Sequence, residues 1–270
     1  MKFTEKLANA TNKNNSLLCI GLDTDRAVIP ENTGVFEFNK AIIDATADLV
    51  CAYKPNLAFY EAMGITGLEA LQKTVAYIPK DIPVIADAKR GDIGNTAKAY
   101  AKAIFEIGKF DAVTASPYLG YDSLEPFINY REKGVFILCR TSNPGAADFQ
   151  SLPCNIPPSP KNLFEVVADK AAAWNKYGNI GLVVGATYPE ELGIIRRSHP
   201  DMLLLIPGVG AQGGDMEAVI KNGVDAARAG IIINSSRQVL YASKGKDYAE
   251  AARQVAERTR DMINELRGKN

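Results

Sequence analysis

Four charged residues stand at the ends of two apolar runs in a pattern that could carry out proton chemistry. Asp87, Lys89 and Asp92 follow the run 83–86 with the spacing Asp-x-Lys-x-x-Asp, and Lys54 ends an earlier run. In a β-strand, side chains two residues apart point to the same face, so Asp87 and Lys89 would share one. An isolated buried charge is very costly, whereas alternating charges can keep one another ionised. The pattern therefore predicts a charged tetrad, with a purely structural salt-bridge network as the alternative.

A glycine-rich segment indicates an anion site. Residues 207–215 read PGVGAQGGD, and their glycines match the pattern G-x-G-x-x-G. A dinucleotide fold is disfavoured, because no acidic residue ends the following strand to hold a ribose. Glycines also let backbone amides approach a phosphate, and Arg237, after the next apolar run, can hold phosphate oxygens with a bidentate fork. The two features together predict a phosphate site, and a plain turn is the alternative.

The elements that must position these residues alternate between strand and helix. The apolar runs that predict strands are 17–23, 52–57, 83–88, 112–116, 135–141, 180–186, 202–207 and 229–234. The helical patterns that follow them are 35–50, 67–78, 96–107, 123–133, 163–176, 189–198, 215–221 and 247–267. This alternation predicts an α/β protein with the (β/α)₈ TIM barrel fold, and a doubly wound open sheet is the alternative. No linker divides the chain, so we expect residues 1–270 to form a single domain.

One segment interrupts the alternation of strands and helices. Residues 143–161 carry five of the fourteen prolines of the chain and show no periodicity. The segment follows the fifth predicted strand, which on a barrel places it at the carboxyl end, where active sites are built. We therefore expect a proline-rich loop insertion, either functional or a stiffened surface excursion.

Composition narrows the possible functions. Lys and Arg number 31 and Asp and Glu number 31, so no net charge would draw the protein to nucleic acid or anionic lipid. The sequence contains neither a long apolar run nor a signal peptide, and we expect a cytoplasmic protein that does not bind membranes. The four cysteines form no CxxC pair, which favours buried reduced thiols. His199, the only histidine, stands at a predicted helix end before Pro200, which argues against a Ser-His-Asp triad, and a single histidine makes a multi-histidine zinc site untenable. We expect no metal site.

Several segments together resemble one known family. Residues 87–96 (DAKRGDIGNT) resemble the signature of the orotidine 5′-phosphate decarboxylase family, and residues 54–61 (KPNLAFYE) and 207–215 resemble its longer bacterial subgroup. The resemblance implies a (β/α)₈ barrel that is active as a homodimer with shared active sites. It also implies that orotidine 5′-monophosphate (OMP) is converted to UMP and CO₂ without a cofactor, in de novo pyrimidine biosynthesis.

The resemblance further implies roles for individual residues. The catalytic tetrad would be Lys54, Asp87, Lys89 and Asp92, with Lys89 as the proton donor to C6 of the pyrimidine. The substrate contacts would come from Asp23 at the ribose, Thr96 at the neighbouring subunit's site, Ser142 and Pro207 at the pyrimidine, and Gln212 and Arg237 at the phosphate. The sequence departs from the family pattern at Thr24, where the subgroup often has proline, and at Ser236, where shorter relatives have glycine.

Three other functions are compatible with parts of the pattern. A metal-dependent sugar-phosphate decarboxylase of the same superfamily shares Asp-x-Lys-x-x-Asp. A Schiff-base aldolase could use Lys54 or Lys89. A non-catalytic nucleotide-binding barrel would keep the phosphate loop and lose the tetrad, so the intact tetrad argues against it.

Overall fold

The computed structural model describes residues 1–209 and 214–269, and a barrel of parallel strands forms its centre. The barrel strands, numbered β1 to β8 along the chain, are Leu18–Gly21, Ala52–Lys54, Ile85–Arg90, Ala112–Ala115, Gly134–Arg140, Ile180–Val184, Leu203–Pro207 and Ile231–Ser235. They pair in the order β2-β1-β8-β7-β6-β5-β4-β3. Parallel bridges from Tyr53 to Val84 and from Asn56 to Asp87 connect the two outer strands, β2 and β3. The TIM barrel prediction is therefore confirmed, and the open-sheet alternative is wrong.

The helices lie outside the strands, as the alternating pattern predicts. In the described residues, α1 to α11 are Phe3–Asn14, Val35–Thr46, Leu57–Glu61, Gly64–Tyr77, Gly94–Lys102, Tyr121–Ile128, Leu163–Trp174, Pro189–Ser198, Met216–Gly223, Arg237–Leu240 and Tyr248–Lys269. A π-helical turn, Ala103–Ile107, extends α5. The sequence patterns did not indicate α1, whose buried face consists of only three residues, Phe3, Leu7 and Ala10. Such a narrow stripe in an otherwise polar segment gives a weak helical signal.

Helix α1 closes the amino-terminal end of the barrel. Phe3 packs edge-on against Phe136 of β5, with the ring centroids 5.7 Å apart, and both rings are buried. These rings and Leu7 belong to an apolar cluster that includes inward-facing residues of the strands. Full burial of a side chain of this size contributes about 1.5–3 kcal/mol. The amino end of the barrel is thus filled, which leaves the carboxyl end for a cavity.

The cysteines agree with the expectation of reduced thiols, although one of them is partly exposed. All four cysteines are free thiols, as predicted; Cys19, Cys51 and Cys139 are buried and Cys154 is partly exposed. Burial raises the pKa of the Cys19 thiol to about 12, so this thiol stays protonated.

Among the residues the structure describes, no helix combines the length and the apolar character needed to cross a membrane.

The segment 143–161 has more regular structure than its sequence indicated. It begins with the 3₁₀ turn Pro144–Asp148, and two short antiparallel strands, Pro153–Cys154 and Lys161–Asn162, pair with each other farther along. The Gln150 side chain ties the segment to the end of β5, because its Oε1 accepts a hydrogen bond of 2.8 Å from the Thr141 backbone amide. This attachment holds the first part of the segment over the carboxyl end of the barrel.

Candidate active site

A cavity of about 530 Å³ opens at the carboxyl end of the barrel. A volume of this size suits a nucleotide-sized ligand. Seven residues predicted from the sequence to act at the site line it: Asp23, Lys54, Asp87, Lys89, Ser142, Pro207 and Arg237. Residues from separate strand ends and loops thus converge on one cavity, as the barrel topology requires.

Three members of the predicted tetrad form a continuous chain of charges. Lys54 Nζ lies 3.0 Å from Asp87 Oδ2, and Lys89 Nζ lies 2.6 Å from Asp87 Oδ1. The side chain of Lys54 is 4% exposed and that of Asp87 is 12% exposed, whereas that of Lys89 is 52% exposed. The Asp87 carboxylate therefore joins a buried ammonium group to one that is open to the cavity.

The surrounding charges keep the buried pair ionised. Burial alone would raise the pKa of Asp87. The positive charges of Lys54 and Lys89 lower it by more than burial raises it, so the pKa lies well below its usual range. Burial lowers the pKa of Lys54, whereas the negative charges of Asp87 and Asp23 raise it above its usual range. The site consequently holds two opposite charges in a poorly solvated place across the whole neutral pH range.

Thr114 of β4 fixes the geometry of the charged chain, and sequence reasoning missed it. Its hydroxyl donates to Asp87 Oδ1 at 3.1 Å and accepts from the backbone amides of Ala88 and Lys89, each at 3.0 Å. These bonds replace part of the ladder between β3 and β4, whose register shifts between Ala86 and Arg90. Lys89 has a φ of 46°, in the left-handed region that non-glycine residues rarely adopt. A lone hydroxyl inside the apolar run 112–115 was the available signal.

The structure does not bring Asp92 and Thr96 into the cavity of their own chain. In the described part of the chain, neither residue is among those that line it. Asp92 Oδ1 accepts a hydrogen bond of 2.8 Å from the Ile93 backbone amide, and Thr96 is exposed near the start of α5. Gln212, the other predicted contact, lies outside the described residues.

The loop that carries Asp23 is held from two sides. The Tyr241 hydroxyl donates to the Asp23 carbonyl at 3.0 Å and accepts from the Asp25 amide at 2.8 Å, which ties the loop to the segment after α10. Thr24, at the position where the sequence departs from the family pattern, is fully buried and donates to Asn39 Oδ1 at 2.5 Å. A buried hydrogen bond thus restrains the loop at a position where a proline ring would restrict the backbone directly.

Several polar residues of the cavity wall had not been predicted. Besides Thr114, they include Asn56, Thr141, Asn143, Gln150, Asn234, Ser235 and Ser236. Asn234 is notable because it ends the apolar run 231–233 inside the barrel. As for metal ligands, no group of three His, Cys, Asp or Glu side chains in the described residues could hold an ion.

Comparison with known proteins identifies the family. The family model described as orotidine 5′-phosphate decarboxylase / HUMPS family matches residues 16–255. The chain is 56% identical to an orotidine 5′-phosphate decarboxylase of Dehalococcoides mccartyi over 267 residues, which cover 99% of both chains. It is 51% identical to the enzyme of that name from Ralstonia nicotianae, over 99% of this chain and 100% of the relative.

A solved structure agrees with the sequence comparisons. The OMP decarboxylase of Leishmania donovani superposes with a TM-score of 0.84 at 39% sequence identity, over 99% of each chain. The shared fold therefore accompanies a clear sequence relationship along the full length. On this agreement of family model, relatives and structure, the chain belongs to the orotidine 5′-phosphate decarboxylase / HUMPS family.

Proposed function

We propose that the chain decarboxylates OMP to UMP and CO₂, with Lys54, Asp87 and Lys89 as catalytic residues of one chain and Asp92 as the fourth, supplied by a partner chain. The reaction is that of the orotidine 5′-phosphate decarboxylases among its relatives and belongs to pyrimidine biosynthesis. The observation that carries the assignment of residues is the chain of charges Lys54–Asp87–Lys89, which presents an ammonium group at the cavity. The experiments must distinguish this function from three alternatives: a metal-dependent sugar-phosphate decarboxylase, a Schiff-base aldolase and a non-catalytic barrel.

The chemistry needs positive charge placed at one carbon. When the bond between C6 and the carboxylate breaks, its electron pair stays on C6 as a vinylic carbanion with no carbonyl positioned to delocalise it. The Lys89 ammonium near C6 stabilises that negative charge and then transfers its proton to C6, which leaves UMP and a neutral amine. Asp87 holds the ammonium in place before the reaction through the 2.6 Å contact between Lys89 Nζ and Asp87 Oδ1. Lys54 keeps Asp87 ionised.

The remaining contacts distribute the substrate over the cavity. Asp23 binds the ribose, Ser142 and Pro207 meet the pyrimidine, and Arg237 together with Gln212 binds the phosphate. The phosphate is remote from C6, so its binding energy serves to order loops around the reacting centre and does not act on the broken bond directly. The segment that follows β5 supplies part of this enclosure, since residues 143, 145, 146, 149 and 150 line the cavity.

We further propose that two chains complete each other's sites in a homodimer, with Asp92 and Thr96 reaching the partner's cavity. Three observations support this arrangement. Asp92 and Thr96 do not line their own cavity in the described part of the chain. Ile93, directly after Asp92, is 57% exposed, and Tyr118 in the next strand's loop is 84% exposed. Large apolar side chains exposed beside a functional residue are typical of a protein interface.

The direct test follows the ultraviolet absorbance of OMP after the chain is added in the presence of EDTA. A decarboxylase that needs no metal removes the absorbance of OMP and yields UMP, and this is the expected result. Activity that stops in EDTA would indicate the metal-dependent class instead. Borohydride treatment in the presence of substrate should leave Lys54 and Lys89 unmodified, because the proposed reaction forms no Schiff base. A covalent adduct at either lysine would identify an aldolase. An intact substrate under all conditions would overturn the proposed activity.

The shared site is tested by mixing two inactive variants. Lys89→Ala and Asp92→Ala homodimers should both be nearly inactive. After subunit exchange, roughly half of the dimers are mixed, and in each of these one site has both lesions while the other has an intact Lys89 and an intact Asp92. About one quarter of all sites should recover activity under random assortment. If exchange is demonstrated and no activity returns, each Asp92 serves its own chain and the shared-site proposal is wrong.

A further inference from the structure

Asn234 of β8 is a buried polar residue whose hydrogen bonds are incomplete. It is 6% exposed, lines the cavity, and donates from Nδ2 to Ser236 Oγ at 3.1 Å. Its Oδ1 is buried without a partner in the described residues. Rotation of the amide by 180° would exchange the two atoms and still leave one of them unpaired. Buried polar groups are nearly always paired in folded proteins, so an unpaired one in a cavity wall points to a ligand.

A second unpaired acceptor lies in the loop directly after the neighbouring strand, β1. Asp23 follows β1, which pairs with β8 so that Cys19 lies opposite Asn234, and Asp23 Oδ1 is likewise buried without a partner. Both residues line the same cavity. Two adjacent strands therefore direct unpaired acceptor atoms to one region of the wall.

The backbone at Gly21 preserves this arrangement. A Cβ atom at Gly21 would lie 2.0 Å from Ser236 Oγ and 3.2 Å from Asn234 Oδ1. A larger residue would therefore displace the Ser236 hydroxyl that accepts from Asn234. The orientation of the Asn234 amide thus depends on close packing from three directions: β8 itself, the end of β1 and Ser236.

The chemistry of the substrate decides which group meets this acceptor. A phosphate dianion offers only acceptor atoms, and the N3–H donor belongs to the pyrimidine, which the proposed function places beside Ser142, after β5. Strands β7 and β6 separate β8 from β5 in the sheet. The ribose hydroxyls are the donors that remain, and Asp23 is the proposed ribose residue. We infer that Asn234 binds the substrate by accepting a hydrogen bond from a ribose hydroxyl, an assignment that rests on the proposed function.

The chain provides a matched control in Asn179. This residue is also 6% exposed and also has an unpaired, buried Oδ1. It precedes β6 at the opposite end of the barrel, where its Nδ2 donates to the carbonyls of Ile128 and Lys133, both at 3.0 Å. Truncation of Asn179 removes a buried amide of the same kind far from the cavity, so it reports a purely structural effect.

The experiment compares wild type, Asn234→Ala and Asn179→Ala on OMP and on its 2′-deoxy and 3′-deoxy analogues. Asn234→Ala should lower kcat/KM for OMP by about 10-fold, which corresponds to one lost hydrogen bond. For the analogue that lacks the contacted hydroxyl, the same substitution should have little effect. Asn179→Ala should change all three substrates by the same factor. Equal losses of Asn234→Ala on all three substrates would overturn the inference.

Two further measurements keep the test decisive. If Asn234→Ala does not fold, Asn234→Ser keeps a polar side chain in the wall but is too short for the same contact, and the same discrimination is expected. Calorimetric binding of UMP and of its two deoxy analogues repeats the comparison without turnover. If the wild type binds UMP but does not consume OMP, the result counts against the proposed activity alone. If neither deoxy analogue binds more weakly than UMP, in the wild type and in Asn234→Ala alike, the ribose contact is wrong.

Discussion

Two buried cations, one at each end of the barrel, are held in different ways. Lys54, at the carboxyl end, is paired with the Asp87 carboxylate at 3.0 Å. Arg196, near the end of α8, is 7% exposed, and in the described residues it donates only to backbone carbonyls. The carbonyls within 3.0 Å of its guanidinium are those of Gly223, Pro200, Met202 and Gly230. Burial lowers the pKa of Arg196, and the negative charges of Asp225 and Asp201 offset this effect only in part.

The difference separates a structural charge from one that the proposed function places in the active site. Four N–H donors of Arg196 bond to the carbonyls around it, so the guanidinium holds the amino ends of β7 and β8 together, and Arg196 is not among the described residues that line the cavity. Lys54 instead shares its partner with Lys89, whose ammonium group is half exposed at the cavity. A buried charge that is coupled to an accessible one can act on a substrate, and this property distinguishes the carboxyl end of the barrel.

The largest expected effect is at the accessible end of that chain. Lys89→Ala should lower kcat on the order of 10⁴-fold or more, because it removes both the charge that stabilises the carbanion and the proton donor. UMP should still bind, since the phosphate and ribose contacts lie elsewhere, and calorimetry checks this. Lys221→Ala, an exposed lysine on α9, is the control and should retain full turnover. Near-normal turnover of Lys89→Ala would show that the charges at the carboxyl end of the barrel do not carry out the reaction.

The opposite result is expected at the amino end. Arg196→Met should lower the free energy of unfolding by about 3–5 kcal/mol, because it leaves several buried carbonyls without donors. The kcat of the folded fraction should stay unchanged. The neighbouring Arg197 is exposed, so Arg197→Met should leave stability within about 0.5 kcal/mol of wild type. Urea denaturation together with activity per folded molecule makes the measurement, and a kcat defect in Arg196→Met would contradict a purely structural role.

A smaller effect should come from the phosphate side of the cavity. Arg237→Ala should raise KM for OMP by about 100-fold, the equivalent of two charge-assisted hydrogen bonds, and should hardly affect turnover of the nucleoside orotidine. Steady-state kinetics on both substrates provide the measurement. Equal losses on nucleotide and nucleoside would place Arg237 outside the phosphate site.

The smallest effect is the pH dependence of the buried pair. Because the pKa of Asp87 is lowered in the folded protein, its ion pairs stabilise the fold above about pH 4, the unfolded value, and this stability is lost as pH falls through the folded pKa. The stability difference between wild type and Asp87→Asn should therefore narrow, by on the order of 1 kcal/mol, as the pH falls from about 5 to about 2. Thermal unfolding across this range tests it, and a constant difference would mean that Asp87 gains nothing from its lysines.

Sequence patterns predicted those parts of the molecule that depend on local periodicity. The eight strands follow from continuous apolar runs, because strands covered on both faces need apolar residues throughout. Lys54, Asp87 and Lys89 could be recognised because charges at the ends of such runs are unusual. For the same reason the cavity was expected at the carboxyl end, where these residues stand.

The features that the sequence did not reveal depend on contacts between distant segments. Thr114 acts because a register shift brings its hydroxyl to the amides of Ala88 and Lys89, and no spacing in the chain encodes that shift. Asn234 has meaning only beside Asp23, which is more than 200 residues away in the sequence. The role proposed for Asp92 depends on a second chain, and periodicity within one chain cannot place such a residue.

The backbone conformation of Lys89 has a consequence for attempts to engineer this barrel. With a φ of 46°, the residue occupies a conformation that costs a side-chain-bearing residue about 1–2 kcal/mol and costs glycine almost nothing. Glycine at position 89 would remove this backbone strain, but it would also remove the ammonium group that pairs with Asp87. A library screened for heat resistance therefore weighs the lost strain against the lost ion pair, and only a parallel screen for turnover reveals whether a more stable variant has kept the amine.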